Sequence, residues 1–179
     1  MMEASSLRPQ CKIYPQALLG YRGFALYQGR LRSLIADTFW RSGVNVAECH
    51  ICAAHRPAVQ DCSCGFYAYH AVHSAIDTVE GAAQLTRMMP EAMLIGAVAG
   101  RGAVQVHGQG WRAQEAQILV LADVFGAISE DQLQDLGALY HVPAFKSVNR
   151  LQWVASGYAK PADLDLLPDD GQLPLPGFN

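Results

Sequence analysis

Two short β-prone runs, 24–27 and 30–35, open the patterned part of the chain, with Gln28-Gly29 between them. That spacing predicts a tight hairpin, although Arg30, Arg32 and Ser33 alternate only imperfectly with Leu31, Leu34 and Ile35. "TFWRSGVNVAE" then reads as a loop that carries a large anchor, Trp40, into a cysteine-rich segment. A helix is expected from Ser74 as its cap, with Asp77 in its first turn and Ile76, Val79 and Ala83 at helical spacing, until Pro90 stops it. "AMLIGAVAGRGAVQVHG" predicts a second hairpin folded around Gly100-Arg101-Gly102. "QILVLAD" (117–123) predicts a buried strand, and "GQGWRAQEA" a glycine-bounded connection or bulge before it.

The last third changes period. Ser129 followed by Gln132 is a capping-box pattern, and Leu133, Leu136 and Tyr140 make one helical face. "HVPAF" ends that helix and has the makings of a short strand, after which Ser147 caps a second helix with Val148, Leu151, Val154 and Tyr158 on one side. The order of elements predicts an α+β fold: a mainly antiparallel β-sheet or small barrel with an inserted zinc loop and C-terminal helices. Its expected divisions are an N-terminal extension (1–20), a zinc-bearing β-rich part (21–125), a helical part (126–160) and a Pro-, Gly- and Asp-rich tail (161–179).

Composition narrows the class. With 179 residues, 51% hydrophobic and 16% charged, the chain can bury a proper core and is globular. A net charge of −3 leaves no general footprint for nucleic acid, and Arg22, Arg30, Arg32 and Arg41 read as either a local basic patch or a solvated strand face. No stretch reaches the roughly 18 apolar residues of a membrane helix, and "MMEASSLRPQ" lacks the apolar run of a secretion signal. The expected location is the cytoplasm, where reducing conditions favour metal binding over disulfides. Cys11 is expected to be a small buried hydrophobe.

Chemistry is concentrated in "AECHICAAHRPAVQDCSCGFYAYH", residues 47–70, which holds Cys49, Cys52, Cys62 and Cys64 with His50, His55 and His70, just ahead of His73. Zinc takes four tetrahedral Cys or His ligands, commonly as two close pairs joined by a loop, and Cys49-x2-Cys52 with Cys62-x-Cys64 offers such pairs. Gly65 suits the tight turn that brings backbone N–H groups to thiolates. Both the four cysteines and the set Cys49, His55, Cys62 and Cys64 satisfy the ion.

Several longer patterns go together: "YRGF", W-x2-G-x-N-x-A-x-C, H-x-P-x4-C-x-C-G-x-Y-A, and IGAV-x3-G-x-V-x3-GQGWRA. Over residues 21–122 they resemble a family of small uncharacterised proteins of actinobacteria and their phages. The resemblance implies a zinc-bearing β-rich domain whose ligands are Cys49, His55, Cys62 and Cys64, with Cys52 a local extra, and implies no activity. The chain departs from that family in the 74–90 insertion, a candidate contact surface.

Three or four thiolates make zinc a poor Lewis acid, and neither H-E-x-x-H, the zinc-deaminase signature nor a phosphate-binding glycine loop is present. The expected function is therefore that of a zinc-stabilised binding protein acting through protein–protein contacts, possible surfaces being the 21–41 hairpin, the Trp111–Arg112 corner and the 74–90 helix. A phage or mobile-element factor acting on a host protein follows from the resemblance. Trp111 and Arg112 form either a stacking and charge-pairing surface or a packed plug with a paired arginine. The alternatives are an enzyme using Arg112 and Glu115 near the zinc loop and, less favoured by charge, a nucleic-acid-binding module.

Overall fold

β2 (Leu18–Tyr27) and β3 (Arg30–Ser33) form the first hairpin, in antiparallel register from Tyr27↔Arg30 to Phe24↔Ser33. Gln28 and Gly29 both take positive φ, +50° and +69°, which matches a turn whose twist suits the flanking strands. The computed structural model describes residues 12–13, 16–49, 58, 62–85 and 90–162. Preceding this hairpin is the two-residue β1 (Lys12–Ile13); following it are β4 (Val44–Val46) and β5 (Phe66–Tyr69). Then come α1 (Val72–Leu85), β6 (Ala92–Val106), β7 (Gly110–Ala122), α2 (Glu130–Tyr140), β8 (Ala144–Phe145) and α3 (Val148–Ser156). The fold is α+β on one mostly antiparallel sheet.

The long hairpin of β6 and β7 is the spine of that sheet. β6 pairs with β1 and β2 along one edge and with β7 along the other. β7 in turn carries β5, β4 and β8 in succession along its outer edge, of which only β8 is parallel. β2 and β5 touch through one pairing, Tyr21↔Tyr69, so the sheet curls towards closure without becoming a clean barrel.

Here two expectations are corrected. The turn lies at 107–109 rather than at Gly100–Gly102, through which β6 runs unbroken with a register shift between Arg101 and Val104. "GQGWRAQEA", expected as a connection, is the first half of β7. The glycines mark close packing and a bulge instead of a turn. A Cβ on Gly100 would stand 2.6 Å from the Trp111 ring, and Gly102 has φ +75° at the shift. The strands β4 and β5 were not expected at all. Each is short and has only a few residues of alternation, and both depend on β7 as template.

Helices cover the sheet. α1 starts at Val72, placing Ser74 inside the first turn, where its carbonyl accepts from Thr78 Oγ1. Ala75 and Val79 of α1 share a core with Leu19, Ile95, Val120 and, from α3, Leu151 and Ala155. Tyr158, expected on the buried side of α3, is exposed. The capping box of α2 forms as expected between Ser129 and Gln132. Leu133, Leu136 and Tyr140 pack with Trp40 and Phe24, and the Leu31 N–H donates to Tyr140 Oη at 2.8 Å.

Between β7 and α2 lies a buried ionic staple. Asp123 accepts from Lys146 Nζ at 2.6 Å and from the backbone N–H groups of Ala127 and Ile128, and Lys146 also donates to the Ile128 carbonyl. Burial alone raises the Asp123 pKa, but Lys146 and the two N–H donors outweigh it and hold the carboxyl below its ordinary value. The folded pKa is thus depressed. Its stabilisation is present above the unfolded value of about 3.9 and is lost as pH falls through the lower folded value. Asp123→Asn is expected to cost about 1–2 kcal/mol at neutral pH by removing the charge that pairs with the partly exposed Lys146 and weakening the two acceptor contacts. The same variant is expected to flatten the acid limb of stability against pH, as read by urea midpoints from pH 7 down to pH 2. An unchanged acid limb would show that other carboxylates dominate it.

Candidate metal centre

β4 and β5 lie end to end on one edge of β7: Val46 opposes Glu115 and Phe66 opposes Ala113. The Ala47 N–H donates to the Gln114 carbonyl at 2.9 Å and fills the step between them. On that edge the two strands follow one another almost without a gap, while the chain between them makes an excursion. Cys49 leaves the neck of this excursion and Cys62 and Cys64 return to it. The three Sγ atoms lie within 4.8 Å of one another, with Cys49 and Cys62 separated by 3.5 Å as free thiols. This juxtaposition follows from strand pairing with β7, since Cys49 and Cys62 are 13 positions apart in sequence.

The return strand is shaped for this neck. Gly65 has φ +124°, and a Cβ there would stand 2.8 Å from Arg112 Cγ and 3.0 Å from the Ala113 carbonyl oxygen. Arg112, opposite Tyr67 on β7, donates from Nη1 to the Cys64 carbonyl at 3.0 Å and from Nη2 to Gln105 Oε1. Its guanidinium also sits over the Tyr67 ring at 5.8 Å. Ala58, in the left-handed region at φ +65°, donates its N–H to the Cys64 carbonyl and adds a backbone donor to the Cys64 thiol.

Electrostatics fit a cation here. Burial first, then the adjoining Cys62 and Cys49 thiols, push the Cys64 thiol up to about 11 against the pull of the Ala58 N–H. Gathered thiolates repel one another and are poorly solvated, whereas a divalent ion would reverse both effects and deprotonate them. The three thiols are close enough to hold one metal ion. His55 and Cys52, the competing fourth ligands, lie outside the described residues, as do His50 and Cys11.

The other expected residues are placed elsewhere. No histidine joins the three thiols among the described residues. His70 is tied through Nε2 to the His107 carbonyl at 2.8 Å, and His73 is exposed on α1. Trp111 is 0% exposed and donates from Nε1 to the Leu19 carbonyl at 3.0 Å, so it is a packed plug that offers no ring face to a partner. Arg112 is buried beneath the cysteine turn, where it donates to the Cys64 carbonyl and the Gln105 side-chain carbonyl. Glu115, three positions along a regular stretch of β7, falls on the opposite face from Arg112.

Sequence reasoning missed Ser33, Tyr67 and Tyr69, which line a cleft beside the cysteine neck with Arg22, read above only as part of a basic patch or a solvated strand face. The signal for Arg22 was its place two residues before Phe24 on the same strand face. Among the described residues no helix is long and apolar enough to cross a membrane. Family models, curated proteins and solved structures give no match to this chain, so the reading of its site stands on the geometry of these side chains.

Proposed function

We propose that the protein is a zinc-stabilised binding module, with Cys49, Cys62 and Cys64 supplying three ligands and either His55 or Cys52 the fourth. The observation that carries this reading is the position of the three thiols at the neck of the 47–65 excursion. A metal there clamps the two ends of a long insertion at the point where they rejoin the sheet. All-protein coordination rich in thiolates suits a structural ion and leaves no open position for a substrate. An enzyme built on Arg112 and Glu115 gains no support from opposite strand faces and an arginine already engaged by carbonyls.

Binding would be made through the surface beside the clamp, where Ile35, Phe39, Val44 and Val46 are all exposed, Val46 by 60%. Clustered exposed apolar side chains with an arginine rim are what a protein partner would cover. Metal analysis of the purified full chain should return one zinc per chain. It should return about none for Cys49→Ser, Cys62→Ser or Cys64→Ser, with thiol titration recording the released cysteines. Loss with His55→Ala and retention with Cys52→Ser would assign His55, and the reverse pattern Cys52. For the binding role, a partner captured by the wild type should be lost by Val46→Asp at unchanged zinc content. Equal capture by Val46→Asp would move the contact away from this surface.

A further inference from the structure

Arg22 is a half-buried cation without an anion. Its Nη2 donates to Ser33 Oγ at 3.1 Å, a neutral acceptor that also receives the Trp40 indole N–H at 3.0 Å. Its Nε is sealed from solvent with no acceptor. The guanidinium carbon lies 4.6 Å from the Trp40 ring centroid and 5.3 Å from that of Phe24, two rings set edge to face. Among the described residues no carboxylate pairs with it: Asp37 at the cleft rim is 3.0 Å from Arg32 instead, and Glu48 makes no ion pair with Arg22. Burial draws the Arg22 pKa down to about 10, partly offset by Tyr69, which leaves a full positive charge at neutral pH.

A guanidinium held this way would be wasteful as packing alone. A charge partly withdrawn from water without a counter-charge is destabilising unless something offsets it, and the cation–π contact with Trp40 offsets a part. The rest of its surroundings form a cleft of about 780 Å³, within the size range of small-molecule sites. Arg22 lies on one wall of this cleft with Ser33, Tyr67 and Tyr69, while Leu34 and Phe39 give apolar surface. Arg30 lies over the Phe39 ring at 4.9 Å and adds a second positive charge near the mouth. Tyr69 is held in place by a hydrogen bond between its hydroxyl and Thr78 Oγ1 at 3.0 Å.

We propose that this cleft binds a small organic acid, its carboxylate paired with Arg22 and its aromatic or branched apolar body lying against Phe39 and Leu34. The planar fork of arginine matches a carboxylate in shape, and the Ser33 hydrogen bond and the Trp40 contact restrain it in advance. The proposal does not depend on the metal's identity, and Phe39 belongs both to this cleft and to the apolar surface assigned above to a partner.

The test uses the full-length, metal-replete chain labelled with ¹⁵N and titrated with phenylacetate. Its neutral isostere phenylacetamide, acetate and inorganic phosphate are the comparison probes. Phenylacetate is expected to bind saturably, shifting the amides of Ser33, Phe39 and Tyr69. Phenylacetamide should bind at least about tenfold more weakly, as loss of a charge-assisted pair implies. Acetate should also be weaker, for want of an apolar body. Arg22→Gln is expected to lose at least about tenfold in affinity. Because Arg22 also braces Trp40, the partly exposed Phe39→Ala is the second variant, expected to lose affinity several-fold with the spectrum otherwise unchanged. Equal binding of phenylacetamide, equal binding by folded Arg22→Gln, or no saturable shift in the cleft would each overturn the proposal. Tighter binding of inorganic phosphate than of phenylacetate would overturn the organic acid as its ligand.

Discussion

If Cys49, Cys62 and Cys64 hold the proposed zinc, removing it with a chelator is expected to unfold the neck between β4 and β5 and to lower the protein's stability. Structural zinc contributes about 10–16 kcal/mol of apparent binding free energy in small domains, whereas a whole domain is stable by only about 5–15 kcal/mol. The chain here also has a hydrophobic core of its own, with Trp40, Leu94 and Leu133 almost fully buried. The expected outcome is thus local first: loss of amide protection along β4, β5 and their partners 110–117 of β7, with the β2–β6 pairing surviving longest. Hydrogen exchange before and after chelation would show this order. Cys64→Ser should reproduce the apo pattern, because it removes one of the three thiols while keeping the backbone carbonyl that Arg112 engages. Uniform protection after complete metal loss would mean that the thiols are bystanders of the fold. Metal affinity should also fall as pH drops, since protons compete for the thiolates, and a Cys64 thiol raised to about 11 without metal makes that competition strong.

Trp111→Ala should be the most damaging single change in the core. The indole is 0% exposed and fits between two glycines: a Cβ on Gly20 would stand 2.6 Å from Nε1, and one on Gly100 2.6 Å from the ring. Truncating it leaves a cavity with glycine backbone on both sides and strands the Leu19 carbonyl that the indole N–H now satisfies. Tryptophan truncations of this kind cost about 3–5 kcal/mol, and the orphaned acceptor adds about 1 kcal/mol or more. Trp111→Phe keeps much of the volume and should cost about half as much. Gly100→Val attacks the same contact from the other strand and should be comparably harmful, because the ring is enclosed and has no room to retreat. Urea denaturation of the three variants checks the order. A mild Trp111→Ala would show that the β6–β7 hairpin does not depend on this plug.

What could be read early had local causes. Gln28-Gly29 announced the first hairpin because a two-residue turn needs positive φ. The Ser129–Gln132 pair announced α2 because a capping box is a contact between residues three apart. The glycines at 100 and 102 misled for a related reason: glycine signals unusual backbone or close approach, and only the packed Trp111 ring reveals which of these applies. β4 and β5 were invisible because three or four residues carry too little pattern to be recognised without the β7 edge that templates them.

The candidate site divides along the same line. Residue types alone determined that Cys49, Cys62 and Cys64 belong to thiol chemistry and that Gly65 must turn tightly, since both follow from side-chain chemistry and local backbone geometry. Tertiary structure alone decided that these thiols meet where two collinear strands abut on β7. It also decided that Arg112 supports their turn from below, and that Arg22 lines a cleft without pairing with its Asp37 or Glu48. Those outcomes depend on which distant segments share an edge of the sheet. Sheet register is a long-range property, set by the burial of the whole core and not encoded in any short stretch of residues.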